Sequence, residues 1–298
     1  MTKVLSLKNL SKHFGKLKAV QNLNLEVHQG NVFGILGPNG SGKTTTLGMV
    51  MQVINRTSGE ILWFDREPDE ASRKQVGAVL EHPIFYPYLS GQQNLELVCM
   101  IKNASKDNIE NVLRQVNLYE RRKDAFKTYS LGMKQRLSIA SALLNDPAVL
   151  ILDEPTNGLD PQGIAEIRDL IRNIAKNGKT IILASHLLDE VQKVCSHFAV
   201  LKKGVLIHSG PVADVAKGDE IVEVNAKHEN LEEILSTYEG ASHVQLDGDC
   251  WLVNMKPGYH SDGLNQFLFD KGICATHLVP KKKSLEKQFL EILAGADE

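Results

Sequence analysis

The segment Gly37-Pro38-Asn39-Gly40-Ser41-Gly42-Lys43-Thr44 fits the spacing G-x-x-x-x-G-K-[ST], whose chemistry is the holding of phosphate. Its glycines let backbone N–H groups curl around phosphate oxygens, Lys43 can reach the terminal phosphates, and Thr44 can hold Mg²⁺. The helix expected to follow points its positive end at the anion. Downstream, Val149-Leu150-Ile151-Leu152-Asp153-Glu154 is an apolar run ending in two carboxylates. Asp153 is suited to organising Mg²⁺ and its water, and Glu154 to polarising an attacking water. Acidic residues also end strands simply by meeting solvent, and the upstream phosphate loop is what selects the functional reading.

These groups need elements that hold them still. Residues 32–36 form a short apolar strand, the glycine loop follows, and residues 43–52 carry helical spacing. Residues 17–27 alternate as a half-buried strand closed by Gly30. Further apolar runs at 61–64, 76–80, 149–152 and 181–184 alternate with helix-like segments at 109–116, 131–144 and 162–175. That alternation predicts an α/β fold, a parallel sheet covered by helices. Residues 198–207, turning at Lys203-Gly204, read as a hairpin that closes the first domain. After Gly210-Pro211 and Gly218-Asp219 the pattern changes to strand, helix, strand, strand, helix, strand, helix, with the last helix at 284–293. The expected division is residues 1–216 and a small α+β domain at 217–298.

Between the two chemical motifs lies Tyr129-Ser130-Leu131-Gly132-Met133-Lys134-Gln135-Arg136. Ser130 is a good N-cap, and Gly132 leaves backbone N–H groups open to a phosphate. The segment resembles the signature motif of the ATP-binding-cassette (ABC) ATPases, L-S-G-G-Q followed by a basic residue, Q and R. Leu131 and Met133 depart from the commonest form, while Lys134-Gln135-Arg136 agrees with it. Asn157-Gly158-Leu159-Asp160 resembles that family's D-loop, Ser185-His186 its switch histidine, and Phe14 ahead of Gly15 its adenine-stacking aromatic. The resemblance covers about residues 3–216.

The resemblance implies a phosphate-loop cassette with a helical signature subdomain that binds ATP with Mg²⁺ and hydrolyses it. Nucleotide contacts fall on Phe14, Gly37, Pro38, Asn39, Gly40, Ser41, Gly42, Lys43, Thr44 and Thr45. Glu154, His186 and Lys43 act in hydrolysis, and Thr44, Asp153 and Glu81 at the metal. Ser130, Gly132 and Asp160 then reach across a head-to-tail dimer to the partner's nucleotide. The family normally has a glutamine in the Q-loop, where this chain reads Val79-Leu80-Glu81-His82. Glu81 either tunes the metal site or faces solvent. Next to it, residues 82–89 crowd aromatic and apolar side chains where the family contacts its membrane subunit; filling the cassette's own core is the alternative. The signature, Glu81 and the tail at 279–289 resemble ABC-2-type exporters of drugs, peptides or lipids.

Composition bounds the function further. A chain of 298 residues with net charge -2 offers no basic stripe for nucleic acid. Two short basic runs, Arg121-Arg122-Lys123 and Lys281-Lys282-Lys283, read as solvated surface. Cys99, Cys195, Cys250 and Cys274 show no paired spacing, so reduced, mostly buried thiols are expected. Without a signal peptide or an apolar run of about 18 residues, the expectation is a cytoplasmic motor docked on the inner membrane face through an integral-membrane permease, and paired with a second ATP-binding subunit. A soluble ABC ATPase acting on ribosomes or DNA is the alternative.

Overall fold

The computed structural model describes residues 2–80, 84–215 and 220–282. The chain divides into two compact units, Met1–Pro211 and Val212–Glu298. The first unit opens with a hairpin in which β1 (Lys3–Phe14) and β2 (Leu17–His28) pair antiparallel around Gly15. The wholly buried β3 (Val32–Leu36) leads through the glycine loop into α1 (Lys43–Val50). β4 (Ser58–Trp63), α2 (Glu70–Lys74) and β5 (Val76–Val79) come next. A helical stretch then contributes α3 (Gly91–Lys102), α4 (Ile109–Gln115) and α5 (Leu131–Leu143). The unit is completed by β6 (Val149–Asp153), α6 (Pro161–Lys176), β7 (Thr180–Ser185), α7 (Leu188–Val194), β8 (His197–Lys202) and β9 (Val205–Pro211).

The main sheet has the order β5-β6-β7-β3-β8-β9 and is parallel except for the last strand. β3, β6 and β7 are buried at every residue. Such strands read as unbroken apolar runs because both their faces are covered. α6 shows why helices cover them: Ile167, Leu170, Ile171 and Ile174 repeat at helical spacing and are its buried stripe. Asp160 caps that helix by accepting the Gly163 N–H at 2.8 Å, and Pro161 sits where its missing N–H costs nothing.

A second sheet, β2-β1-β4, is antiparallel. Its Leu5, Leu7, Leu23 and Trp63 join Phe33, Ile35, Leu47 and Ile182 in one apolar cluster, so both sheets and α1 share a core. Each such side chain contributes about 1.5–3 kcal/mol of burial. Here the expectation for residues 61–64 is corrected. β4 pairs with β1, Leu5 opposite Trp63, and is no part of the parallel sheet. A short apolar run bounded by turns looks the same in either setting, and only the partner strand decides. That partner was itself hidden, because β1 is bulged and Asn9 at φ 49 breaks its alternation.

The second unit begins with a helical turn, α8 (Val212–Val215). β10 (Glu220–Ala226), α9 (Leu231–Ser236), β11 (Ala241–Asp247), β12 (Cys250–Met255), α10 (Ser261–Asp270) and β13 (Ala275–Lys282) follow. Its sheet, β11-β12-β10-β13, is antiparallel. Leu231, Leu235, Leu264 and Leu268 of the helices meet Val222, Val224, Val253 and Met255 of the sheet. The helix expected at 284–293 lies outside the described residues. The expectation of mostly buried thiols needs correction: Cys99 and Cys195 are buried, Cys250 is half-buried and Cys274 is exposed.

Candidate functional site

The glycine loop leaves the C-terminal end of β3, between β7 and β8, where parallel sheets commonly bind ligands. Gly37 donates its N–H to Ser185 O at 3.3 Å, and a Cβ there would lie 2.3 Å from Leu201 O, so no larger residue fits. Gly42, at φ 105, is jammed against Ala19 O in the same way. The loop is also pinned from behind. Gly204 in the β8–β9 turn donates its N–H to Ser41 O at 3.0 Å and accepts one from Gln21 at 2.8 Å.

Gly42 offers α1 no side-chain cap, and no acidic residue occupies the first turn. The leading N–H groups therefore remain open to an anion. Ser41 Oγ is buried with no hydrogen-bond partner. An orphaned buried hydroxyl beside open amides fits phosphate oxygens as the missing partners. Lys43, only 5 % exposed, lays its Nζ 2.8 Å from Gly37 O and 3.3 Å from Glu154 Oε1. Pro38, Asn39, Gly40 and Thr44 are exposed, and Thr45 is half-buried.

Asp153 ends β6 opposite Ala184 of β7. The backbone then turns at Glu154, φ 47, whose N–H donates to Ala184 O at 3.0 Å. Its carboxylate faces Lys43 on one side and, on the other, His186 Nδ1 at 2.8 Å from Oε2. Three residues widely separated in sequence thus meet beyond the ends of β3, β6 and β7, Lys43 from the start of α1 and Glu154 and His186 directly after their strands. The donor set also suits Mg²⁺. Thr44 in the first turn of α1 and Asp153 at the end of β6 both offer hard oxygens. Mg²⁺ typically takes one or two protein oxygens and completes its shell with phosphate and water.

Ser130, Gly132 and Asp160 form a separate group. Ser130 caps α5 by accepting the Met133 N–H at 3.2 Å, and Asp160 caps α6. With Leu131, Leu159 and Gly163 they line an open cavity of about 510 Å³. None of them is hydrogen-bonded or ion-paired to Lys43, Glu154 or His186. Phe14 lies at the β1–β2 turn, 48 % exposed, with Lys12 Nζ 4.6 Å from the ring centroid. Glu81 lies outside the described residues.

The aromatic segment is divided in two. Phe85 packs edge-on against Phe126 at 5.2 Å, whereas Ile84, Tyr86 and Tyr88 are exposed. Packing in the cassette's own core therefore describes Phe85, while the exposed Ile84, Tyr86 and Tyr88 stand clear of that core. Sequence reasoning named Ser185 only as the neighbour of His186 and missed the polar set it belongs to. Thr156, Ser185 and Glu190 are buried together beside His186, and an acid on a short helix gives no spacing signal that would have found it.

Known proteins resemble this chain over most of its length. The family described as "ABC transporter" matches residues 20–157. The chain is 43% identical over 219 residues to the uncharacterized ABC transporter ATP-binding protein YhcH of Bacillus subtilis, 72% of each chain. It is 32% identical to the bacitracin transport ATP-binding protein BcrA of Enterococcus faecalis, over 99% of this chain and 98% of that one. Among solved structures, cbiO1 from Clostridium perfringens, described as part of the ABC transporter complex cbiONQ, is 30% identical with a TM-score of 0.67. It covers 72% of this chain and 91% of its own. An ATP-binding cassette described as dimeric, in a post-hydrolysis state with ADP and Pi, is 25% identical with a TM-score of 0.61, over 70% of this chain and 98% of that one.

Proposed function

Since this chain belongs to the ABC transporter family as an ATP-binding, ATP-hydrolysing subunit, we propose that Lys43, Glu154 and His186 carry its hydrolysis. The carrying observation is the Glu154 carboxylate held between Lys43 at 3.3 Å and His186 at 2.8 Å. The open amides of α1 and Ser41 Oγ receive the β- and γ-phosphates, with Lys43 neutralising them. Phe14 offers its exposed ring to the adenine. Glu154 accepts a proton from the attacking water, while His186 orients that carboxylate and the terminal phosphate. Thr44 and Asp153 would hold Mg²⁺, which when bound neutralises charge on the phosphate oxygens. Glu81 remains a proposed addition to that metal set.

The nucleotide site is completed by Ser130, Gly132 and Asp160 of a second ATP-binding subunit, as the open cavity beside them and the dimeric cassette among the similar structures support. No helix among the described residues is long and apolar enough to cross a membrane. An integral-membrane permease, with this subunit docked on its cytoplasmic face, would supply the transport path, as the transport named for relatives supports. Export is the direction we assign, on the bacitracin and lantibiotic transport named for relatives. Those transporter relatives leave the ribosome or DNA alternative without support.

The test replaces Glu154 with Gln in the complex purified with its permease. ATP binding should persist while turnover falls by about 10² to 10⁴. Near-normal turnover would overturn the assignment. A multi-span membrane protein should accompany the native complex, and its absence from a pull-down would overturn the permease reading.

A further inference from the structure

Glu190 is a carboxylate on α7, 1 % exposed, and hydrolysis as described does not use it. Burying a charge is costly unless both oxygens are served. Here they are. Thr156 donates its hydroxyl to Oε1, and Ser185 donates its hydroxyl to Oε2 at 2.9 Å. Thr156 lies two residues beyond Glu154 in the turn after β6, and Ser185 lies one residue before His186 at the end of β7. Ser185 Oγ in turn accepts the Leu187 N–H at 3.0 Å, so the backbone is held on both sides of His186.

The helix bearing Glu190 is itself fixed. Val191 and Cys195 press on Gly34 of β3, where an added Cβ would come within 3.0 Å of each. One helix thus touches the strand that leads to the phosphate loop, the strand that leads to His186 and the turn that carries Glu154. We infer that Glu190 is a positioning residue for hydrolysis, whose carboxylate sets the distance between Glu154 and His186. Both partners direct their hydroxyl protons at it in a dry setting, and an acceptor-rich group serves both at once. A side chain needed for packing alone has no reason to be an acid there.

This rests on the assignment of Glu154 and His186 above, and the experiment separates the two. Glu190→Ala, Glu190→Gln and Thr156→Val are made in the full chain, each with native His186 and with His186→Ala, and ATP turnover and KM are measured. With native His186, Glu190→Ala should lower kcat by about 10- to 100-fold, as misplaced reacting groups do, and leave KM within about threefold. Glu190→Gln, which keeps one acceptor oxygen, should recover most of the loss. With His186→Ala the further loss should be less than about twofold. Equal losses in both backgrounds, or an unchanged kcat in Glu190→Ala, would overturn the inference. Normal turnover in His186→Ala alone would instead overturn the histidine assignment, and this inference with it. If Glu190→Ala does not fold, Thr156→Val keeps the shape, removes one donor and carries the same comparison.

Discussion

Glu154 occupies a left-handed backbone conformation, φ 47, that a non-glycine residue adopts at a cost of about 1–3 kcal/mol. The neighbouring strand holds it there through Ala184 O, and the turn carries the carboxylate from the line of β6 across to Lys43 and His186. Residue identity also governs the thiols. Burial, with the charge of Glu190 nearby, pushes the Cys195 thiol up to about 12. A thiol reagent at pH 8 should therefore label Cys274 quickly and Cys250 slowly, and reach Cys99 and Cys195 only after unfolding, as counted by absorbance. Because the folded value lies above the unfolded one near 9, this thiol's contribution is complete below pH 9 and is lost as pH rises towards 12. Melting curves of Cys195→Ser should show a shallower alkaline decline than the native chain. At this scale the sequence was informative wherever a local spacing carries the chemistry, as in residues 37–44. It was silent on Glu190, whose importance comes from Thr156 and Ser185 lying beside it only in the folded chain.

Among the elements, the segment before α3 separates packing from contact. Phe85 is fixed on Phe126, which in turn neighbours Tyr129, while Tyr88 is 79 % exposed. Phe85→Ala should cost about 1–3 kcal/mol and lower the melting temperature, since it empties an aromatic contact. Tyr88→Ala should leave melting unchanged and weaken co-purification with the permease. Equal melting losses would show that the segment serves only the cassette's own core. The elements that were missed had readable or hidden causes. α3 opens with Ser90 and Gln93 in a reciprocal capping box, an S-x-x-Q signal that was present in the sequence. β1 was hidden by its bulges, and with it the sheet to which β4 belongs. The central strands β3, β6 and β7 were legible because burial on both faces makes them uniformly apolar.

For the whole molecule, the group at Ser130, Gly132 and Asp160 lines an open cavity, which we propose the nucleotide of a second subunit fills. An added Cβ at Gly132 would meet nothing closer than Leu159 at 3.9 Å, so the subunit itself tolerates a larger residue. Gly132→Val should keep nucleotide binding and stability but block ATP-dependent dimerisation, measured by light scattering in a Glu154→Gln background. Dimerisation at the native level would remove this group from the interface. The closing hairpin has a role in the same economy of binding. Its turn at Gly204 is hydrogen-bonded to Ser41 and to β2, so the glycine loop acquires its shape when the chain folds. Ordering a residue's backbone costs about 1–2 kcal/mol, and here that cost falls on folding, before any nucleotide arrives. If two subunits close on ATP as proposed, its binding free energy is thereby available to draw them together, and lengthening the β8–β9 turn should weaken that drive without touching a single nucleotide contact.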